Sequence, residues 1–136
     1  MKKIRAAALL LGIVPLCACT AISPDKAKEK LEGEGYSVKI MGESEYEKSS
    51  FADTALYWSP SMDSFLSAED GEKTNYLFAW YFMSNNAASN WNDLNSPWFN
   101  DIKVEGNVSL TSGMKNNVVW VGTNVAAGVV GFNSLF

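Results

Sequence analysis

The chain has 136 residues, a formal net charge of -4, two cysteines and no histidine, which allows one compact domain and is short for two. A hydrophobic fraction of 47% with five Trp, five Tyr and seven Phe requires a packed core and excludes a disordered acidic chain.

The first element is a leader. Lys2, Lys3 and Arg5 form a positive start, and Ala6 to Leu16 form an apolar stretch interrupted by Gly12 and Pro15. That stretch falls short of the roughly 20 residues a membrane-crossing helix needs. Residues 1–18 therefore read as a secretion signal and are left out of the fold. Leu16-Cys17-Ala18-Cys19 resembles the bacterial lipobox, with Leu three places before a Cys and a small residue directly before it. The resemblance implies cleavage before Cys19 and lipid attachment at its thiol, giving a membrane anchor made of acyl chains. Cys17 stands where Ala, Ser, Thr or Gly is more usual. The alternatives are ordinary signal cleavage near Ala18 or Ala21, with secretion, and a retained signal anchor.

Removing the leader takes three of the eleven basic residues and leaves eight Lys against fifteen Asp and Glu, a net charge of -7 with no Arg. A surface without the guanidinium fork and with that charge excludes nucleic acid as a partner and disfavours anionic lipid. Membrane association then falls to the lipid on Cys19.

Residues 19–23 read as a short tether, and residues 24–136 as a single domain. Ser23-Pro24-Asp25 starts a helix, with Ser23 as cap, Pro24 at the first helical position and Asp25 favourable for the dipole. Ala27 and Leu31 lie on one face of it, and Gly33 and Gly35 stop it. Tyr36, Val38 and Ile40 alternate as a strand. From Gly42 to Thr74 the signals are mixed. Glu43, Glu45 and Glu47 form an acidic run around Tyr46, and Ala55 to Trp58 reads as a short strand or an apolar plug. Ser59-Pro60 followed by Met62, Phe65 and Leu66 predicts a short amphipathic helix before a turn at Asp70-Gly71.

Asn75 to Met83 is the clearest strand, with Tyr76, Phe78, Trp80 and Phe82 on one face and Leu77, Ala79 and Tyr81 on the other. It predicts a central strand covered by helices on one face and at least partly shielded on the other. Ser84 or Asn85 caps a helix carrying Ala87, Ala88, Trp91 and Leu94, which breaks at Asn95-Ser96-Pro97. Val104 to Leu110 and Asn117 to Val121 read as strands of a hairpin turning through Thr111 to Asn116. Thr123 caps a last helix that buries Val125, Ala126, Val129 and Val130, and the apolar segment Phe132 to Phe136 docks. The order predicts an α+β fold, a two-layer sandwich with an antiparallel or mixed sheet of about four strands packed against two or three helices.

Chemistry is read mostly by exclusion. Without His, and with Cys19 spent on the anchor, nucleophilic dyads and tetrahedral zinc sites are ruled out. Paired carboxylates or a Ser-Lys arrangement remain, with Asp63, Glu69, Asp70, Asp93, Asp101 and Glu105 as the supply of acids, but no spacing demands that they pair. Glu43, Glu45, Glu47 and Asp53 do not match a calcium loop and read as a solvated acidic surface. No catalytic residue, metal ligand or cofactor is expected. The positive candidates are Trp58, Trp91, Trp98 and Trp120, which stack on a glycan or clamp a peptide if they share a cleft, and otherwise fill the core.

Lys26-Ala27-Lys28 with Leu31 and Gly35-Tyr36, the aromatic strand ending in Tyr81-Phe82, and Gly106-Asn107 with Val118 to Thr123 together resemble small, uncharacterised bacterial lipoproteins with a compact α+β domain. The resemblance implies export and an address on the extracytoplasmic face of the cell membrane, and carries over no catalytic residues. The expectation is a noncatalytic, lipid-anchored domain that binds an envelope protein or glycan. The alternative is a small carboxylate-dependent hydrolase of cell-wall glycans.

Overall fold

The computed structural model describes residues 21–134. The predicted leader, the lipidation site at Cys19 and the last two residues of the predicted docking segment lie outside the described residues.

Helix α1 (Pro24–Gly33) begins as the sequence predicts. The Ser23 side chain accepts a hydrogen bond from the Lys26 amide at 3.3 Å, and Ala27 and Leu31 are buried. Gly35 takes a left-handed conformation, with φ 91°, and turns the chain into β1 (Tyr36–Met41). The acidic run forms a short helix, α2 (Glu43–Glu47), whose one buried side chain is Tyr46. A 3-10 turn (Ser50–Asp53) buries Phe51. Ala55 to Trp58 has no regular structure and plugs the core with Leu56, which is wholly buried.

The predicted amphipathic helix at Met62, Phe65 and Leu66 is instead a nine-residue strand, β2 (Met62–Asp70). It pairs with β1 on one side and β3 (Tyr76–Phe82) on the other. Phe65 and Leu66 are both wholly buried because the sheet is covered on its two faces, so adjacent apolar residues both find a core. That pairing satisfies the backbone on both edges and overrides a pattern that also fits a helix. Ser59-Pro60 leads into the strand, with the Ser59 hydroxyl accepting from the Ser61 amide.

Strand β3 is central and every residue of it is buried. Helix α3 (Asn85–Asn95) follows, capped by the Ser84 side chain, and passes into a 3-10 turn (Ser96–Asp101). The predicted strand at Val104 to Leu110 pairs with nothing. It runs over the sheet without regular structure, and Val104, Val108 and Leu110 pack against the core. Their alternation records one-sided burial, not a ladder. The residues expected as the turn form β4 (Thr111–Lys115), which pairs with β5 (Val118–Gly122) across a tight Asn116-Asn117 turn. Helix α4 (Asn124–Val129) is capped by Thr123. It buries Ala126 and Ala127, with Val130 just beyond it, but leaves Val125 63% exposed, against expectation. Phe132 docks as predicted.

The fold is α+β as expected, with one open antiparallel sheet of five strands in the order β1-β2-β3-β5-β4 and four α-helices packed on it. One face meets α2, α3, the 3-10 turns and the Val104–Leu110 segment through an aromatic cluster. The other meets α1 and α4 through Leu, Ala and Val side chains, with Tyr36, Tyr81, Trp120 and Phe132 among them. Among the described residues no helix is long and apolar enough to cross a membrane.

Candidate functional site

The aromatic residues are divided by the sheet. Trp80 is wholly buried, and its indole N–H donates to the Tyr46 hydroxyl at 3.1 Å. Tyr46 in turn donates to the Leu56 carbonyl at 2.5 Å. Burial pushes the Tyr46 hydroxyl up to about 12, with the Trp80 hydrogen bond pulling the other way. Trp91 packs against Trp80, Phe82 and Phe99, and half-buried Trp58 tilts against Tyr46 at 5.6 Å. Trp120 belongs to the opposite face, alongside Ala79 and Tyr81, and its ring lies over Gly113, where a Cβ would come within 2.8 Å of it. Trp98 is 45% exposed on the second 3-10 turn. The structure thus brings Trp58 and Trp91 to one side of the sheet, places Trp120 on the other, and does not gather the four tryptophans into one cleft.

The carboxylates have other partners. The Asp70 side chain accepts from the backbone amides and side chains of Thr74 and Asn75, closing the β2–β3 turn. Desolvation pushes its pKa up, but these hydrogen bonds outweigh it and hold the carboxyl well below the usual range. Glu69 and Glu105 both pair with Lys73. The hydrogen bond to Glu69 is the main cause that raises the Lys73 ammonium above its ordinary value. Asp63, Asp93 and Asp101 are exposed, as are Glu43, Glu45, Glu47 and Asp53. Among the described residues no group of three or more acidic, Cys or His side chains is placed to hold a metal ion.

A concavity lies elsewhere, under the segment that leads from the second 3-10 turn into β4. It encloses about 510 Å³ and is lined by Phe99, Ile102, Lys103, Val108, Leu110 and Val121 among others, with Asn107, Thr111 and Ser112 at its polar side. Its size falls in the roughly 300–1,000 Å³ range of small-ligand sites. The roof is held at Gly106, whose amide donates to the Tyr76 hydroxyl at 3.3 Å. A Cβ there would meet the Lys73 carbonyl at 2.3 Å, so the close approach needs a glycine. Polar surface outweighs apolar surface in the lining, and Lys103 supplies its one charged side chain. The arrangement suits a polar or anionic group with a smaller apolar part.

Sequence reasoning did not find this site. Val104, Val108 and Leu110 were visible as an alternating run, but the run says nothing of the hollow between it and the sheet. No known protein family, curated protein or solved structure matches this chain.

Proposed function

We propose that the chain is a noncatalytic binding domain, anchored by lipid at Cys19 on the extracytoplasmic face of a bacterial membrane, that holds an envelope protein or glycan in the concavity beneath residues 99–112. The observation that carries this reading is the position of the hollow. Tyr36 pairs with Asp70, and Thr111 pairs with Gly122 next to the Tyr76 end of β3, so the turn after α1 and the Gly106 roof share one end of the sheet. Helix α1 runs back from that turn, so its Pro24 start lies toward the other end of the sheet. With a lipid anchor on the chain ahead of that start, the hollow would face away from the bilayer, which supports this reading. The carboxylates a glycan hydrolase needs are engaged with Thr74, Asn75 and Lys73 or exposed, which favours binding over cleavage.

Intact-mass measurement of the protein extracted from membranes tests the anchor. A diacylglycerol-modified N-terminus at Cys19 is expected, and an unmodified N-terminus at Thr20 or later overturns it. Cosedimentation with purified cell-wall sacculi and crosslinking to envelope proteins test the hollow. Val108→Asp, which puts a charge into the lining, is expected to weaken whichever association is found by about tenfold, or about 1.4 kcal/mol. An unchanged association moves the binding surface elsewhere.

A further inference from the structure

The hydrogen-bond alternation of the sheet fixes which groups β4 turns outward. The Thr123 amide donates to the Tyr76 carbonyl and the Phe82 amide to the Asn117 carbonyl, both at 2.9 Å, so the odd-numbered residues of β5 bond to β3. The alternate residues Val118, Trp120 and Gly122 then bond to Lys115, Gly113 and Thr111 of β4. Ser112 and Met114 are left with their N–H and C=O groups at the free edge, and among the described residues no backbone group outside the strand bonds to either.

Exposed strand edges usually carry a charge, a proline or a bulge that blocks further pairing. The opposite edge has Lys39 in the middle of β1. From Thr111 to Met114 the β4 edge has no charge, no proline and no register shift, and its Met114 is 43% exposed.

We infer that β4 pairs antiparallel with β4 of a second copy of this chain, about a two-fold axis at Gly113. In that register Ser112 stands opposite the partner's Met114, each such pair exchanging two hydrogen bonds, and all the outward groups of both residues are satisfied. Gly113 faces the partner's Gly113, so neither strand brings a side chain of its own to the centre, where the Trp120 ring of each copy lies over its Gly113. The two Lys115 residues fall at opposite ends of the pairing, each opposite the Thr111 of the other copy, with the ammonium bonded to Ser134 of its own chain.

The same register joins the edge to the hollow. Ser112 and Met114 lie on the sheet face of Val121 and Val119, the face of the aromatic cluster, and Ser112 lines the concavity. Directly opposed residues bring their Cβ atoms to about 5 Å, so the partner's Met114 stands beside Ser112 at the mouth. Each copy covers the other's exposed thioether side chain and completes the wall of the other's hollow. The pairing does not need the anchor, so its failure leaves the mass measurement at Cys19 unaffected.

Mixed disulfide trapping tests the register. Full-length Ser112→Cys and Met114→Cys chains, mixed and oxidised, are expected to crosslink with each other about fivefold more than either does with itself, because opposed positions meet disulfide geometry and displaced ones do not. The unsubstituted chain sets the background from the native cysteines. Equal crosslinking in all combinations, or a monomer in sedimentation of the full-length protein, overturns the inference. Ser112→Pro removes an outward N–H while sparing the bonds to β5, and is expected to abolish the dimer without changing thermal unfolding of the monomer. Should that variant fail to fold, Ser112→Lys makes the same test with a charge at the centre of the edge. A folded variant that remains dimeric overturns the inference as well.

Discussion

The two faces of the sheet solve the same burial problem with different side chains. On the face of α2 and α3, rings of Tyr46, Phe51, Phe65, Phe78, Trp80, Trp91 and Phe99 pack with centroids from 4.9 to 6.5 Å apart, and the polar ends of Tyr46 and Trp80 are bonded to each other. On the face of α1 and α4, Ala27, Ala68, Ala79, Ala126 and Ala127 are all buried, so helix backbones come close to the strands. There the polar ends of Tyr81 and Trp120 are buried with no hydrogen-bond partner among the described residues. Large rings leave irregular gaps beneath short helices and turns, and fill them only if their polar atoms are satisfied. Small side chains let regular helices seat closely, and two large residues among them have no polar neighbour to meet.

Removing the centre of the aromatic face is expected to have the largest effect. Trp80 contacts Phe51, Phe65, Trp91 and Phe99, so Trp80→Ala leaves a cavity that four rings border, at a cost of about 3–5 kcal/mol. Urea unfolding monitored by circular dichroism checks it. A loss below about 1 kcal/mol would mean that the ring cluster collapses freely into the space.

A smaller loss is expected from Tyr46→Phe, which keeps the ring and deletes its oxygen. The Leu56 carbonyl loses its donor and the Trp80 indole N–H loses its acceptor, costing about 1–3 kcal/mol. The same hydroxyl makes stability depend on alkaline pH. Its pKa is raised in the fold from 10.0 to about 12, so the folded state holds the proton that the unfolded state releases first. Its contribution is fully present below pH 10 and is lost as pH rises toward 12. Denaturation midpoints measured from pH 8 to pH 12 are therefore expected to fall less steeply in Tyr46→Phe than in the parent chain.

The sequence made some of this contrast legible. The Ser23-Pro24-Asp25 start of α1 and the Thr123 cap of α4 are local hydrogen-bond chemistry, and both formed as read. The alternation along Tyr76 to Phe82 assigned each ring to its face because a strand covered on both sides still has period two. Strand β2 was hidden because Phe65 and Leu66 are neighbours buried on opposite faces, and their offsets from Met62 suit a helix equally. Strand β4 was hidden for the opposite reason. As an edge strand with Thr111, Ser112 and Met114 exposed, it carries no hydrophobic period. Trp58, Trp91, Trp98 and Trp120 could be named as candidates, but whether they converge depends on which face each one occupies, and the hollow depends on a roof pinned at Gly106 to residues some thirty positions earlier.

The smallest expected change gives the sharpest test of the contrast, because its sign differs. Tyr81 is the counterpart of Tyr46 on the other face. Its hydroxyl is buried, burial alone pushes its pKa up, and nothing among the described residues bonds to it. Tyr81→Phe keeps the edge-on contact with Phe132 at 6.3 Å and removes only the unsatisfied oxygen. Removing a polar atom that lacks a partner relieves its desolvation penalty instead of creating one, so the variant is expected to be neutral or more stable by up to about 1 kcal/mol. Urea midpoints of Tyr46→Phe and Tyr81→Phe, measured side by side at pH 7, should move in opposite directions or move only for Tyr46. If Tyr81→Phe loses as much as Tyr46→Phe, the Tyr81 hydroxyl has a partner, and the α1–α4 face is as fully satisfied as the aromatic one.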